Sequence, residues 1–426
     1  MLLADGGSAR LRAVRADDAP RIAAFHRALS LETIHFRYFS GLAILPPLIL
    51  KRFSQPDPAR EFVIVAEVGE QLIALASAHR EASSDVAEVA FVVADAYQGR
   101  GLGTLMLEEL AECARARGIT RFRADTLAGN RAMLRVFRDA GFEVERSAES
   151  AVVHVTFPIE DTARAQEVRE TREHLAEARS MRPLLAPRSI LLAGGRADAF
   201  VGRVYVDVDA LPPGVDLALF AGDVRALDPL VRACGDRGVH ALAVGELRGA
   251  PEGDARVDFD RELRFAVRAH GMRLLGPDSL GILNNAHEVG LRAVGIARLP
   301  RRGTLGVASE SPARGTELLG RLEAEHVGVS TFVSLGRRAD VSANDCLAYW
   351  LADPETRAIA LDISSVGNAA KFARLAARVA AAKPLVALGT GDSTQDALLA
   401  GAGVEIEATL EALVARARRA SHVRGA

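Results

Sequence analysis

Gln98-Gly99-Arg100-Gly101-Leu102-Gly103-Thr104 stands between an apolar run that ends near Val93 and a helical repeat that begins near Thr104. Strand, glycine-rich turn and helix N-terminus, in that order, make an anion cradle. Successive backbone N–H groups converge on a pyrophosphate, and the helix dipole favours its charge. Gly101 and Gly103 let the backbone approach closely, because a Cβ would intrude. Downstream, residues 104–117 place Leu105, Leu107, Leu110 and Ala114 at helical spacing, with Gly118 as the stop. Upstream, residues 86–93 read as a nearly all-apolar strand. Residues 61–68 and 71–79 read as two more strands, joined at Gly69-Glu70. Residues 10–15 predict a strand, and Asp17 and Asp18 are expected to cap a helix through about Leu29. A strand at 121–127, a helix at 130–140 ended by Gly141, and a strand at 152–157 complete a mixed α/β domain over 8–158.

The rest of the 426-residue chain has room for further domains. Residues 160–179 are dense in charge and lack Gly and Pro. They predict an exposed linker helix within 159–186, ended by Pro183 and Pro187. From Ser189 short apolar strands alternate with Ala/Arg/Leu-rich helices, at 190–193, 204–208, 215–221 and 241–244. That alternation predicts a parallel, doubly wound sheet. A second such unit starts near Thr304 and runs through 331–334, 358–363 and 385–388. The fold class is therefore α/β throughout, with two further domains expected at 187–299 and 300–420.

Composition excludes several classes. A net charge of −2 leaves no nucleic-acid or anionic-membrane footprint. The longest apolar run, at 41–50, is broken by Pro46-Pro47 and is too short to span a bilayer. The opening MLLADGGSAR has no signal-peptide core. Cys113, Cys234 and Cys346 have neither metal nor disulfide spacing, so no metal is expected and a reducing cytoplasm suits the chain. Lys51, Lys371 and Lys383 are its only lysines. A GC-rich genome explains that bias, as does a lysine-modifying enzyme that avoids modifying itself.

The loop matches the Q/R-x-x-G-x-G/A signature of the GNAT acetyltransferases. Asn130-Arg131-Ala132-Met133-Leu134-Arg135-Val136-Phe137-Arg138-Asp139-Ala140-Gly141-Phe142 resembles that family's N-x-x-A-x-x-L-Y-x-x-x-G-F motif. The resemblance implies acetyl-CoA as co-substrate. Its pyrophosphate would lie on Gln98, Gly99, Arg100, Gly101, Leu102, Gly103 and Thr104. Val93 would belong to the same site, and Asn130 would lie beside the pantetheine arm. Phe137 departs from the motif, because a phenyl ring cannot protonate a leaving thiolate.

Direct acetyl transfer needs a neutral amine, and the ammonium of an unperturbed lysine titrates only near pH ~10.4. A nearby carboxylate can take the proton. Glu88 is the candidate, a lone carboxylate in the apolar strand that leads into the loop; Asp125 is the second choice. Leu29-Ser30-Leu31-Glu32-Thr33-Ile34-His35-Phe36-Arg37-Tyr38-Phe39 and Ala87-Glu88-Val89-Ala90-Phe91-Val92-Val93 resemble the Pat-type protein lysine acetyltransferases. That group acetylates proteins, notably acyl-CoA synthetases, and uses a glutamate at the position of Glu88. His26, His35 and His79 lack ligand spacing and read as structural or exposed.

Three later segments resemble the CoA-binding and ligase-like domains of NDP-forming acyl-CoA synthetases, relatives of the succinyl-CoA synthetase α subunit. They are residues 275–284, 333–345 and 367–374. The resemblance implies a Rossmann-like CoA-binding-like domain followed by a flavodoxin-like ligase-like domain. It also exposes losses. No histidine lies between His326 and His422, where the family carries its phosphate relay. Ser364 or Ser365 replaces the family's partner glutamate. Ser309-Glu310-Ser311-Pro312 replaces its Ser-Gln-Ser-Gly turn. Ala193-Gly194-Gly195 runs within nine residues into the next strand near Val204, which leaves little room for a helix. The leading reading is a cytoplasmic protein lysine acetyltransferase with a catalytically dead, synthetase-like regulatory half. A GNAT acting on a small-molecule amine, a non-catalytic acyl-CoA sensor and a synthetase subunit are the alternatives.

Overall fold

The computed structural model describes residues 1–81, 84–149 and 151–422. The chain divides into two units, Met1–Ala176 and Glu177–Ala426.

In the first unit seven strands make one sheet. Its order is β1 (Arg10–Ala13), β2 (Glu61–Val68), β3 (Gln71–Arg80), β4 (Val86–Val93), β5 (Arg121–Leu127), β7 (Val152–Pro158) and β6 (Glu145–Glu149). Neighbours are antiparallel except β4 and β5, which run parallel. Helices α1 (Ala19–Arg27), α2 (Leu31–Tyr38) and α3 (Pro47–Ser54) precede β2. Helix α4 (Leu102–Arg115) connects β4 to β5, and α5 (Arg131–Asp139) leads from β5 to β6.

Each face of this sheet has its own core. Phe62, Val89, Phe91, Leu107, Leu110, Phe122 and Phe157 pack on one side, with α4 and α5. Ile22, Phe25, Ile34, Phe53, Val65 and Val92 pack on the other, with α1 to α3. A strand covered on both faces reads as a continuous apolar run, which is why residues 86–93 show so little alternation.

Three details differ from the sequence expectations. Asp18 does not cap α1. It is buried and accepts from the guanidinium of Arg12, at 2.6 and 2.8 Å, and from Arg21. Helix α4 starts at Leu102, two residues before the expected start. Helix α6 (Ala163–Ser180) is not simply exposed. Near its start Ala165 and Val168 pack against Gly141; at its other end Glu177 pairs with Lys371.

The second unit contains two sheets. One is all parallel: β8 (Ser189–Ala193), β9 (Arg203–Tyr205), β10 (Leu217–Asp223), β11 (Ala241–Arg248) and β12 (Arg273–Leu275), in the order β12-β11-β10-β8-β9. Residues 194–202 join β8 to β9 without a helix. Gly195 lies so close to β10 that a Cβ would sit 2.4 Å from the Leu219 carbonyl oxygen.

The other sheet comprises β13 (Gly281–Asn284), β14 (Leu291–Val294), β15 (Arg302–Ser309), β16 (Val329–Ser334), β17 (Ala358–Asp362), β18 (Leu385–Leu388) and β19 (Glu405–Glu407). Its order is β14-β13-β16-β15-β17-β18-β19. Strands β15 to β19 are parallel and follow the flavodoxin order 2-1-3-4-5. Although β13 and β14 fall within 187–299, they pair antiparallel at the edge of this second sheet.

A buried arginine ties this unit together. Arg273, 2% exposed, donates to Asp340 at 3.0 Å, to Asp345 at 2.7 Å and to Ser180 Oγ. Removing one partner of a buried pair strands the other charge. Arg273→Leu should therefore lower the urea unfolding free energy of this unit by about 3–5 kcal/mol. Burial opposes charge on Asp340, yet Arg273 and Arg268 hold its carboxyl down to about 2. A depressed folded pKa gives stabilisation that is complete above the unfolded value, ~3.9, and is lost as pH falls below it.

Candidate active site

β4 and β5 are hydrogen-bonded only along Val86–Glu88 and Arg121–Arg123. Beyond Glu88 they part, and the gap opens a cleft of ≈ 510 Å³. Val93, Gln98, Gly99, Gly101, Leu102, Gly103, Thr104 and Asn130 all line it. Glu88 stands at the fork.

The turn into α4 has the geometry its glycines permit. Gly99 and Gly101 have φ of 74° and 79°, in the left-handed region. Among the described residues, no protein acceptor takes the backbone N–H groups of Gly99, Arg100, Gly101, Leu102, Gly103 or Thr104. These donors and the start of a fourteen-residue helix face one cleft. Gly103 serves packing as well as access, since a Cβ there would lie 3.1 Å from Val136 Cγ2 on α5.

The side chains around the turn have other tasks. Gln98 Nε2 donates to Val93 O at 3.1 Å and to Thr33 Oγ1 at 3.0 Å, which braces the turn against β4 and α2. Arg100 turns away from the cleft; it pairs with Asp5 at 2.6 Å and lies over the Tyr97 ring. Asn130 caps α5 by accepting from Met133 N at 3.0 Å. Asp95 accepts from Ser30 N, Ser30 Oγ and Thr33 Oγ1. Burial opposes its charge, but these bonds hold its pKa below the ordinary carboxylate value. Asp95 thus ties the start of α2 to the cleft, whose wall includes Glu32, Thr33, Phe36 and Arg37.

A second pocket of ≈ 230 Å³ is lined by Glu88, Glu61, His79, Arg52, Tyr38 and Phe53, among others. Strand register explains the cluster. Glu61 faces His79, His79 faces Glu88 and Glu88 faces Arg123, in one row across four strands. Glu61 accepts from Arg52 and lies 3.1 Å from His79 Nδ1. Arg37 lines this pocket and the larger cleft, and is the one residue common to both linings. Burial lowers its pKa, while the nearby charge of Glu88 opposes that shift. Tyr38 is pushed up by burial, against the charge of Arg37.

Asp125 lines neither space. It is held 2.7 Å from His154 Nδ1, across β5 and β7. Phe137 lies in the core, 1% exposed, against Phe91 and Phe157 at ring distances of 5.9 and 5.5 Å. Sequence reasoning missed helix α2 and Arg37 as parts of the site. Ser30 three residues before Thr33, ahead of an arginine in an aromatic stretch, was the available signal; Ser30 Oγ does accept from Thr33 N and caps α2.

In the second unit, Glu310 fills the turn after β15. Its Oε2 accepts from Ser364 N at 2.9 Å and Ser364 Oγ at 2.5 Å, and Oε1 lies 2.7 Å from Arg338. Asp392 likewise caps the helix Ser393–Gly401, accepting from Thr394 N at 2.8 Å and Gln395 N at 3.3 Å.

Comparison with known proteins agrees with this division. Residues 28–142 match the acetyltransferase (GNAT) family, and residues 302–423 match the succinyl-CoA ligase like flavodoxin domain. The alpha subunit of acetate–CoA ligase [ADP-forming] II from Pyrococcus furiosus is 28% identical over 191 residues, 45% of this chain and 41% of that subunit. The chain therefore spans less than half of that relative's length. An acetyltransferase of Pseudomonas aeruginosa is 28% identical over 158 residues, 36% of this chain and 85% of that protein. The crystal structure of the GNAT domain of S. lividans PAT shares 38% identity, covering 37% of this chain and 94% of that one, with a TM-score of 0.36. No helix among the described residues is long and apolar enough to cross a membrane. The chain thus carries an N-terminal domain of the GNAT acetyltransferase family and a C-terminal succinyl-CoA-ligase-like flavodoxin domain related to ADP-forming acetate–CoA ligase alpha subunits.

Proposed function

We propose that the protein transfers acetyl from acetyl-CoA to lysine side chains of other proteins, acyl-CoA synthetases among the candidates, in the cytoplasm. The observation that carries this reading is the juxtaposition at the β4–β5 fork. A cradle of unpaired backbone N–H groups meets, at Glu88 and Arg37, a second pocket of side-chain size. The pyrophosphate lies on the N–H groups of residues 99–104. Gln98 holds the turn rather than the ligand, and Arg100 contributes backbone only. The pantetheine arm runs between β4 and β5 past Val93 and Asn130. The acceptor lysine enters the smaller pocket, whose lining includes Ile49, Val63 and Ala78 beside Glu88, apolar groups that suit its aliphatic stem.

Glu88 takes the proton from the lysine ammonium, and the neutral nitrogen attacks the thioester carbonyl carbon. The C–S bond breaks, the electron pair leaves with sulfur as thiolate, and the second proton on nitrogen passes to water as the amide forms. Phe137 offers that sulfur no proton. Acetylome mass spectrometry of cells with and without the protein tests the reading. A set of lysines should lose acetylation in its absence; an unchanged acetylome would contradict it.

The C-terminal half is read as a synthetase domain that has lost its chemistry and now regulates the acetyltransferase or docks its substrates. The missing histidine and the lost glutamate support this, as do the two turns filled by the chain's own Glu310 and Asp392. The expected result is no ATP- or GTP-dependent acyl-CoA synthesis and no phosphohistidine. Acid-labile phosphorylation after incubation with labelled nucleotide, or with acyl-CoA and phosphate, would refute it.

A further inference from the structure

Arg37 has no ion-pair partner among the described residues, and Glu88 acts on its charge only from beyond contact distance. Its Nε is buried without a hydrogen-bond partner. The guanidinium lies instead over the rings of Tyr38 and Phe53, 5.1 and 6.0 Å from their centroids. A buried, unsatisfied donor costs about 1–3 kcal/mol, and more when charged. Three neighbouring arginines of the first unit are paired with carboxylates: Arg12 with Asp18 and Glu67, Arg52 with Glu61, Arg100 with Asp5. Arg37 is left open where the cleft meets the smaller pocket. The reacting carbonyl must sit at that junction if the thioester arrives from one side and the amine from the other. That placement rests on the acetyl-CoA reading of the cleft.

We infer that Arg37 is a catalytic residue that donates to the thioester oxygen and stabilises the negative charge developing there as the amine nitrogen bonds to the carbonyl carbon. Charge from the attacking electron pair gathers first on oxygen and then departs with sulfur when the C–S bond breaks. Glu88 holds the proton of the arriving ammonium, and the proton that nitrogen sheds after attack passes to water. Phe137, sealed in the core, supplies no hydroxyl to share that charge. A fixed guanidinium in a partly dry site meets the need without reorganising during the reaction. Phe53 and Tyr38 hold its plane, and the Ser30–Asp95–Thr33 bonds fix the helix that carries it.

The test uses the full-length protein and hydroxylamine as acceptor, because hydroxylamine is neutral at pH 7 and needs no base. A slow variant then cannot be explained by a disturbed Glu88. Arg37→Gln should lower the hydroxamate-forming rate at saturating acetyl-CoA by about 10²-fold, the effect of losing one oxyanion donor. Acetyl-CoA affinity should stay at the wild-type value, and the unfolding midpoint should not fall, since the variant removes a buried unsatisfied donor. Arg37→Lys should fall between the two, since it keeps charge without the fork. Added guanidinium ion should speed Arg37→Ala and leave wild type unaffected, a response that a purely structural side chain would not give. A folded Arg37→Gln that matches the wild-type rate overturns the inference, as does one whose only loss is acetyl-CoA affinity. A wild type that binds no acetyl-CoA and shows no rate above background would sink the cleft reading first, and this inference with it.

Discussion

Glu88→Gln should lower kcat by about 10²–10⁴-fold and leave acetyl-CoA affinity nearly unchanged, the effect of losing a general base. The amide keeps the size and polarity of the side chain but cannot accept the ammonium proton. Glu88 lies outside the acetyl-CoA cleft lining and inside that of the smaller pocket, so the two effects should separate. Raising the pH should partly rescue Glu88→Gln, because more of the lysine is then neutral unaided. Measurement at saturation of both substrates keeps binding out of the comparison. A variant that retains more than about a third of wild-type kcat at neutral pH would place the base elsewhere. Asp125 is the poorer substitute, tied as it is to His154 and outside both pockets.

Gly103→Glu should abolish acetyl-CoA binding at concentrations that saturate wild type. The carboxylate would stand among the N–H groups meant for the pyrophosphate and oppose its charge. Packing separates charge from bulk. A Cβ at Gly103 already meets Val136 Cγ2 at 3.1 Å, so even Gly103→Ala must push α5 slightly. The alanine variant should keep most of its affinity, because a valine methyl can shift by tenths of an ångström. Calorimetry on folded variants decides the matter. Glutamate and alanine variants with equal affinity would mean that the cradle does not hold the pyrophosphate.

The fork itself was hidden from the sequence. Strand periodicity located β4 and β5 closely, because each alternates or runs apolar against two covered faces. That they pair for only three residues and then diverge is a tertiary fact, set by what packs above and below. The glycine turn was legible, because positive φ and a helix start leave a chemical trace in residue type. What its side chains do was less so, because Gln98 braces the turn through Thr33 and Arg100 pairs with Asp5, partners far away in sequence. Helices α2 and α3 escaped notice because eight-residue helices carry little periodic signal. Asp18 shows the converse error. An acid beside a helix start suggested a cap for α1; Asp18 instead accepts from Arg15 N in the turn before the helix and pairs with the neighbouring Arg12 and Arg21.

The central claim is that protein-borne lysine is the acceptor. The most direct measurement follows acetyl label from acetyl-CoA into an extract of the protein's own cells, split into protein and small-molecule fractions. Label should appear in the protein fraction, on lysine and stable to hydroxylamine, at a rate that Glu88→Gln lowers by about 10²-fold or more. Label confined to the small-molecule fraction, or protein labelling that Glu88→Gln leaves unchanged, would contradict it.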